Sequence, residues 1–318
     1  MAISDRLEGM SARRETAEAV RRAIEGGRRD RAGILFEALL IASLVISLAV
    51  LVWLLTDILL RSMPVWQERG VVDFLSRNLN SNPEKAGIAQ GIWGSLFLIV
   101  ITAVLAIPTG IAAAVYLEEY ARDTFATRTL NTVVRNLAGV PAVVFGILGL
   151  AVFVILLSPI TGGETLIAGG LTLAVVVLPI VIITAAEALR AVPASIREAG
   201  YGVGATKWEV TRSHVLPYAA PGILTGIILT LARAFGETAP LLLVGAAAAG
   251  FGSPASATIL ERLTGPYTAL PTIVYGWARL PQQEFKALTA AAIVVLLVVI
   301  IVINAIAIIL RNRYARRW

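Results

Sequence analysis

Long apolar stretches, separated by short polar segments, dominate the hydrophobic pattern of this chain. Each stretch comes close to the ~20 mostly apolar residues that a transmembrane helix needs, and each is longer than the roughly 10-residue alternating strands of a membrane β-barrel. Six stretches have this character: residues 34–60, 91–117, 136–157, 165–186, 222–243 and 288–310. The pattern predicts an all-α membrane protein with six transmembrane helices.

The connection after the fifth stretch is too long to be a simple turn. Residues 244–287 contain several prolines and glycines, and we expect a short helix around residues 257–263. This segment could close a pathway, meet a partner or serve as a passive connector, and its sequence favours none of the three.

Composition and charge narrow the class of protein further. The chain is 57% hydrophobic with a mean hydropathy of +0.80, so it cannot bury its apolar surface in one soluble core. It has no cysteine and a single histidine, His214, which excludes a His-rich metal site and argues against haem, iron–sulfur and thiol chemistry. The net charge of +6 comes from arginines that flank the apolar stretches, so membrane topology explains it without a nucleic-acid partner.

The distribution of arginine predicts the orientation of the chain in its membrane. Arginines are concentrated in both terminal segments, so both termini are predicted to be cytoplasmic, as six crossings require. The predicted organisation is a polar tail at 1–33, a first helix with its outer loop at 34–90, the main transmembrane domain at 91–310 and a basic tail at 311–318. No cleaved signal peptide is visible, and residues 11–25 are expected to form a short solvated helix.

The sequence shows no catalytic constellation. The nearest approach to a phosphate-cradling Walker A loop, residues 202–207, lacks the Gly-Lys-Ser/Thr ending. We see no Ser/His/Asp set and no His-Glu-x-x-His motif. We therefore expect no catalytic residue and no bound cofactor in this chain, so that any ATP and Mg²⁺ would be used by another subunit.

Residues 187–217, which we call the elbow, predict two short helices joined at a glycine. Ser195 and Glu198 have the spacing of a capping box, in which Ser195 would be the N-cap. Gly204 can end the first helix, and a second capping-box match begins at Thr206. Such boxes occur in many loops, so the physical pattern alone is not specific.

The elbow resembles the EAA loop of ATP-binding-cassette (ABC) importer permeases. Its stretch Glu-Ala-Gly-x3-Gly-x9-His-Val-Leu-Pro follows the family pattern Glu-Ala-Ala-x3-Gly-x9-Ile-x-Leu-Pro, with Gly200 and His214 as the two departures. The resemblance implies that this cytoplasmic helix docks into a groove of an ATPase subunit and transmits its closure. The residues to which it assigns coupling are Ser195, Glu198, Ala199, Gly204, Leu216 and Pro217.

Three further stretches resemble PstA-type phosphate permeases: residues 112–121, 136–146 and above all 233–242, Arg-Ala-Phe-Gly-Glu-Thr-Ala-Pro-Leu-Leu. Ala142 stands where serine is usual in that family. The resemblance covers residues 91–310 and implies a type I ABC importer permease bundle, the MetI-like fold, with a cytoplasmic coupling helix. It further implies a PstC-type permease, a PstB-type ATPase dimer and a PstS-type phosphate-binding protein as partners.

Two charges fall inside the fifth apolar stretch. Arg233 lies 11 residues beyond Gly222, about 16 Å into the membrane, and Glu237 follows at i+4 on the same helix face. A charge at this depth costs at least ~2.5 kcal/mol unless it is paired or hydrated. The pair could line a phosphate path or could be a structural ion pair, and a helix break at Pro240 could form a gate.

Three rival functions remain open from the residues. A permease for another oxyanion, such as molybdate, sulfate or phosphonate, would share the elbow. An enzyme acting on lipid phosphates would need a nucleophile and an acid–base set. A non-transporting scaffold would leave the intramembrane charges and the elbow without a role.

Overall fold

The computed structural model describes residues 31–246 and 258–315, which form helices and loops without any strand. The predicted tail helix at 11–25 lies outside these residues, as do 247–257 and 316–318. In chain order the helices are α1 Arg31–Glu68, α2 Val71–Ser76, α3 Ala89–Val115, α4 Phe125–Ala138, α5 Ala142–Gly149, α6 Ser158–Thr161, α7 Leu166–Arg190, α8 Ala194–Gly202, α9 Lys207–Val210, α10 Leu216–Gly236, α11 Ala239–Leu243, α12 Ile259–Thr264, α13 Leu270–Ala278 and α14 Gln283–Ala315. Three π-helical turns extend α3, α5 and α9 in turn: Tyr116–Tyr120, Leu150–Leu156 and Thr211–Val215.

Five of the described helices are long and apolar enough to cross a membrane, and a bent pair of helices raises this number to six. The five are α1, α3, α7, α10 with the helical turns before it, and α14. The all-α prediction is confirmed, and five of the six predicted stretches coincide with these helices. The chain divides into two compact units, residues 1–57 and 58–318. In the first unit, the described residues form one helix that is apolar on all sides.

The predicted boundary of the third crossing is wrong. Residues 136–141 do not begin that crossing, because α4 ends at Ala138 and the helix axis turns by 101° before α5 begins at Ala142. Pro141, with a φ of −56°, is the N-cap of α5, and a residue that precedes proline disfavours helical conformation. Of the predicted third stretch, Ala142–Leu156 is the apolar segment that follows the bend, and the amphipathic α4 precedes it at a steep angle. We take Ala142–Leu156 as the third crossing below.

The core of the second unit is built around α7, which packs against α3 and α10. Most of the apolar residues of α7 are buried, as expected for a helix that is hydrophobic on every side. Small residues allow the close approach: an added Cβ on Gly110 of α3 would lie 2.6 Å from Val181 Cγ1, and one on Gly226 of α10 would lie 2.5 Å from Thr184 Cβ.

The end of the bundle opposite the elbow is closed by aromatic packing. Trp66 contacts Phe74 edge to face with ring centroids 5.6 Å apart, and Trp277 lies 5.6 Å from Phe285. Two helices lie in the segment predicted as a loop at 244–287. The expected helix at 257–263 is α12, whereas α13 was not predicted, because its Pro271 reads as a turn residue although it occupies the first helical turn.

The fifth crossing is longer at its start and shorter at its end than predicted. Pro217 does not separate a loop helix from the crossing, since α9, the π-helical turn and α10 form one helix from Lys207 to Gly236. The π-helical turn just before Pro217 shifts the hydrogen-bond register where proline would break a regular helix. The regular helix then ends at Gly236 rather than at residue 243. If the helix continued, the ring of Pro240 would clash with the carbonyl of Gly236.

The last helix continues past the predicted end of the sixth crossing. α14 runs to Ala315, so the predicted basic tail at 311–318 is helical at its start. Arg311 donates from Nη1 to Thr225 Oγ1 of α10 at 3.1 Å. This contact ties the end of α14 to the fifth crossing.

Candidate coupling and transport sites

The first elbow helix, α8, ends in a Schellman motif at Gly204. Gly204 has a φ of +82°, a conformation that favours glycine. Its N–H donates to Tyr201 O at 3.0 Å, and the N–H of Ala205 donates to Gly200 O at 3.1 Å. The helix stop predicted at Gly204 is therefore present, and it fixes the direction in which α9 leaves.

The two predicted capping boxes have different outcomes. The box at Ser195 is wrong, because Pro193 is the N-cap of α8 and Ser195 already lies inside the helix, where it cannot adopt the extended N-cap conformation. The box at Thr206 is confirmed: Glu209 N–H donates to Thr206 Oγ1 at 3.3 Å, and Thr206 N–H donates to Glu209 Oε2 at 2.7 Å. The start of α9 is therefore rigidly defined.

One face of α8 points away from the bundle. Ser195, Glu198 and Ala199 are exposed on this face, whereas Gly200 is buried against α9. The elbow also exposes three apolar side chains: Tyr201 near the end of α8, Val203 just after it, and Trp208 in α9, of which Val203 is 85% exposed. Apolar groups that cluster around a charged helix face are typical of a protein-binding surface.

A buried ion pair fixes α8 to the second crossing. Arg197 Nη2 lies 2.6 Å from Glu119 Oε1, and the Glu119 side chain is only 4% exposed. Arg197 also donates to Leu189 O at 2.9 Å and to Val192 O at 2.8 Å, at the end of α7. These bonds satisfy carbonyls that a helix C-terminus leaves free. A single side chain therefore joins α3, α7 and α8.

A second pair lies beside the first. Arg190 donates from Nε and Nη2 to the two carboxylate oxygens of Glu118 at 2.9 and 2.6 Å, a bidentate, side-on pair. No role was predicted from the sequence for Glu118, Glu119 or Arg197. The partners are 72 and 78 residues apart, and no local spacing rule relates them. The only available signal was two adjacent acids at the end of an apolar stretch.

Arg233 and Glu237 lie together where the fifth crossing breaks. Arg233 Nε is 3.4 Å from Glu237 Oε1, and the two side chains are 62% and 17% exposed. Arg233 belongs to the last turn of α10, whereas Glu237 has already adopted an extended conformation. The adjacent Ala234 packs with Ala106 and Val177, which lie in the middle part of α3 and α7. The pair is therefore near half the length of the bundle, as its sequence position predicts.

Pro240 lies four residues beyond the last residue of α10 and occupies the first turn of α11. It is buried against α5, where a Cβ added to Gly146 would lie 2.7 Å from Pro240 Cα. Leu216 and Pro217 are half-buried at the start of α10. A short packed helix thus follows the break, and its position depends on contact with the third crossing.

No group of three or more His, Cys, Asp or Glu residues that could hold a metal ion occurs within residues 31–246 and 258–315. His214, the only histidine of the chain, is exposed on the π-helical turn.

Comparison with known proteins gives a consistent result. Residues 106–317 match the family described as "Binding-protein-dependent transport system inner membrane component". The Mycobacterium leprae (strain TN) "Phosphate transport system permease protein PstA" is 34% identical over 236 residues, which cover 73% of each chain. The Bacillus subtilis (strain 168) "Probable ABC transporter permease protein YqgH" is 36% identical over 180 residues, 54% of this chain and 58% of that protein.

The fold also has counterparts among solved structures. An inward-facing structure of the MetNI methionine ABC transporter superposes with a TM-score of 0.57 at 20% identity, covering 71% of this chain and 95% of the other. At this level of identity the likeness concerns the fold: the bundle has the architecture of an ABC importer permease.

Proposed function

Since this chain belongs to the family of binding-protein-dependent transport system inner membrane components, we propose that it is the permease subunit of an ABC importer for inorganic phosphate. It is a multi-pass membrane protein, as its apolar helices require. Both termini are cytoplasmic in the proposed arrangement, which also places the elbow on the cytoplasmic side.

The exposed face of α8 is the surface on which we expect an ATPase subunit to bind. Glu198 provides a charge at its centre, and the neighbouring apolar side chains provide area for burial. ATP and Mg²⁺ belong to a PstB-type ATPase dimer in this assembly, and the chain itself is not catalytic. The other proposed partners are a PstC-type permease, which completes the path, and a PstS-type binding protein, which delivers phosphate.

The observation that carries the proposal for the substrate is the exposed guanidinium of Arg233 at mid-bundle level. A charge at this depth rarely faces lipid, so its surroundings are an aqueous path or a partner surface. A guanidinium fork matches the oxygens of phosphate. Glu237 lies close enough to compete for that fork, which would keep binding weak enough for release. The M. leprae relative named for phosphate transport supports the same substrate.

Reconstituted complexes carrying single substitutions test both sites. We expect Glu198→Ala to uncouple ATPase activity from the phosphate-loaded binding protein, and Arg233→Gln to lower phosphate uptake at least ten-fold while ATPase activity persists. This magnitude corresponds to the roughly 1.5–3 kcal/mol of a charged hydrogen bond. Arg313→Gln, on the exposed end of α14, is the matched control and should behave as wild type. Normal uptake by Arg233→Gln would rule out its role in the path.

A competition assay separates phosphate from the rival oxyanions. Uptake of labelled phosphate is measured in the presence of excess molybdate, sulfate or phosphonate. We expect unlabelled phosphate alone to abolish the signal. Complete inhibition by one of the other anions, together with its own ATP-dependent uptake, would reassign the substrate and leave the coupling role intact.

A further inference from the structure

Helix α4 is strongly amphipathic and lies across the direction of the third crossing. The axis turns by 101° between α4 and the segment Ala142–Leu156. If that segment crosses the bilayer, α4 runs nearly parallel to the membrane surface. No residue of α4 is buried in the bundle. One side of α4 contacts α7, where Val134 is half-buried, and most of its other side chains are exposed, as in a helix at the membrane interface.

The two faces of α4 differ in chemistry in the way that an interface requires. Ala126, Leu130, Val133 and Leu137 share one side at helical spacing, and all four are exposed. Arg128, Asn131, Thr132 and Arg135 share the opposite side. Apolar side chains on one side and arginines on the other are typical of helices at the boundary between lipid headgroups and acyl chains.

The polar side of α4 lines an open cleft of ≈ 560 Å³, which the ends of α3 and α7 complete. The charged groups of the lining are the carboxylates of Glu118 and Asp123 and the guanidiniums of Arg122, Arg128, Arg135 and Arg190. Four cations and two anions leave a net charge of +2 in the lining, and one further carboxylate, that of Glu187, lies beside Arg135 and Arg190 at the edge of the cleft and lowers the sum to +1. Such a cleft attracts an anion.

Two of the four cations in this cleft are already neutralised. Arg128 donates to both carboxylate oxygens of Asp123 at 2.7 and 2.8 Å, and Arg190 pairs with Glu118. The Arg128 guanidinium also holds the pKa of Asp123 below its usual value, so this carboxylate is ionised at neutral pH. Within the part of the chain that the structure describes, the side chains of Arg122 and Arg135 form no ion pair or hydrogen bond. These two guanidiniums are available for an external anion.

We propose that this cleft binds the headgroup phosphate of an anionic phospholipid, with α4 lying in the plane of the membrane surface. Arg122 and Arg135 would bind the phosphate oxygens, and Asn131 and Thr132 would supply further hydrogen bonds. The apolar side of α4 would then face the acyl chains. The open cleft of ≈ 560 Å³ has room for a glycerophosphate headgroup, and the exposed apolar side of α4 favours a lipid over free phosphate as its source. The proposal goes beyond transport, because it does not depend on which substrate the protein carries.

A binding experiment on the delipidated complex in detergent tests the proposal. Short-chain phosphatidylglycerol and phosphatidylcholine are titrated separately, and bound lipid is counted by native mass spectrometry. We expect phosphatidylglycerol to bind and phosphatidylcholine not to bind. Substituting Arg122→Gln and Arg135→Gln together should weaken phosphatidylglycerol binding at least ten-fold. Arg212→Gln, an exposed arginine on the elbow side outside the cleft, is the matched control and should leave it unchanged.

Two further measurements distinguish a bound lipid from free phosphate and from a neighbouring subunit. Inorganic phosphate is added as a competitor, and a single cysteine at Leu130 is exposed to a lipid-soluble label in vesicles containing phosphatidylglycerol. We expect millimolar phosphate not to displace the lipid and the cysteine to be labelled. Three results would each overturn the proposal. The double glutamine variant could bind phosphatidylglycerol as tightly as wild type, or free phosphate could displace the lipid fully. The cysteine could also cross-link to a neighbouring subunit instead of reacting with the label. Arg122→Lys with Arg135→Lys keeps both charges and should retain binding, which separates loss of charge from misfolding.

Discussion

The two carboxylates that follow the second crossing are adjacent in sequence but differ in environment. The side chain of Glu119 is 4% exposed and that of Glu118 is 15% exposed, and their arginine partners are 22% and 45% exposed. Removing one partner of a buried pair leaves an uncompensated charge in a poorly hydrated place, whereas removing a partly exposed one allows water to replace it. The same chemical change should therefore have unequal effects at these neighbouring positions.

We expect Glu119→Gln to lower the free energy of unfolding by about 3–5 kcal/mol, and Glu118→Gln to lower it by roughly 1 kcal/mol or less. Denaturant-induced unfolding of the purified protein in detergent measures both. Equal effects of the two substitutions would contradict the assignment of Glu119–Arg197 as the pair that holds α8.

Arg233 allows a test of geometry apart from charge. Arg233→Lys keeps a cation but loses the planar fork that can bind two phosphate oxygens at once. We expect its phosphate uptake to lie between those of wild type and Arg233→Gln. Initial rates of labelled phosphate uptake over a range of concentrations give the answer. Uptake by the lysine variant equal to that of wild type would mean that a point charge suffices.

Local spacing determines which residue contacts the sequence can reveal. The neighbours Arg233 and Glu237 were predicted because they are four positions apart, and their atoms lie 3.4 Å apart. The pair Glu119–Arg197 was missed because 78 residues separate its members, and only the packing of α3 against α7 brings them together. The roles of Arg233, Glu237, Pro240 and the coupling residues remain predictions.

Glycine at position 200 departs from the family pattern, and the structure gives a local reason. Gly200 is buried, and an added Cβ would lie 2.7 Å from Val210 Cγ2, across the contact between α8 and α9. Real Cβ atoms essentially never approach so closely, so an alanine would push the two elbow helices apart. The branched Val210 fills the space that alanine would occupy.

Gly200→Ala should therefore destabilise the elbow by about 1–3 kcal/mol through overpacking, and it should weaken binding of the ATPase subunit. Combining it with Val210→Ala removes the crowding, so the double variant should be more stable than the sum of the two single effects predicts. Unfolding in detergent and co-purification of the ATPase measure the outcome. Strict additivity would mean that the two side chains do not compete for the same space.

Hydrophobic periodicity identified the long helices but not the bend between α4 and α5. Both sides of Pro141 are apolar, and the continuous run from Leu137 to Leu157 concealed the change of direction. Prolines can also lie inside helices where the sequence pattern suggests a loop or a break. Pro271 falls in a segment predicted as a loop, but it lies in the first turn of α13, where a missing N–H costs nothing. Pro217 lies within the continuous helix from Lys207 to Gly236, directly after the π-helical turn that accommodates it.

The number of crossings can be tested on the whole molecule, because the chain has no native cysteine. Ser81 and Val203 are both exposed, and α3, the short third crossing and α7 lie between them. Three crossings place the two positions on opposite sides of the membrane. We expect an impermeant maleimide added outside intact spheroplasts to label Ser81→Cys but not Val203→Cys. Labelling of both from the same side would mean that α5 enters the bilayer without crossing it.

The shortness of that third crossing has a consequence for the surrounding lipid. From Ala142 to Leu156 the helix rises only about 21 Å at 1.5 Å per residue, whereas the hydrocarbon core of a typical bilayer is ~30 Å thick. Such a hydrophobic mismatch is relieved when the bilayer thins beside the short segment. The protein should therefore deform the membrane on one flank, and its activity should depend on the acyl-chain length of the host lipids as well as on their charge.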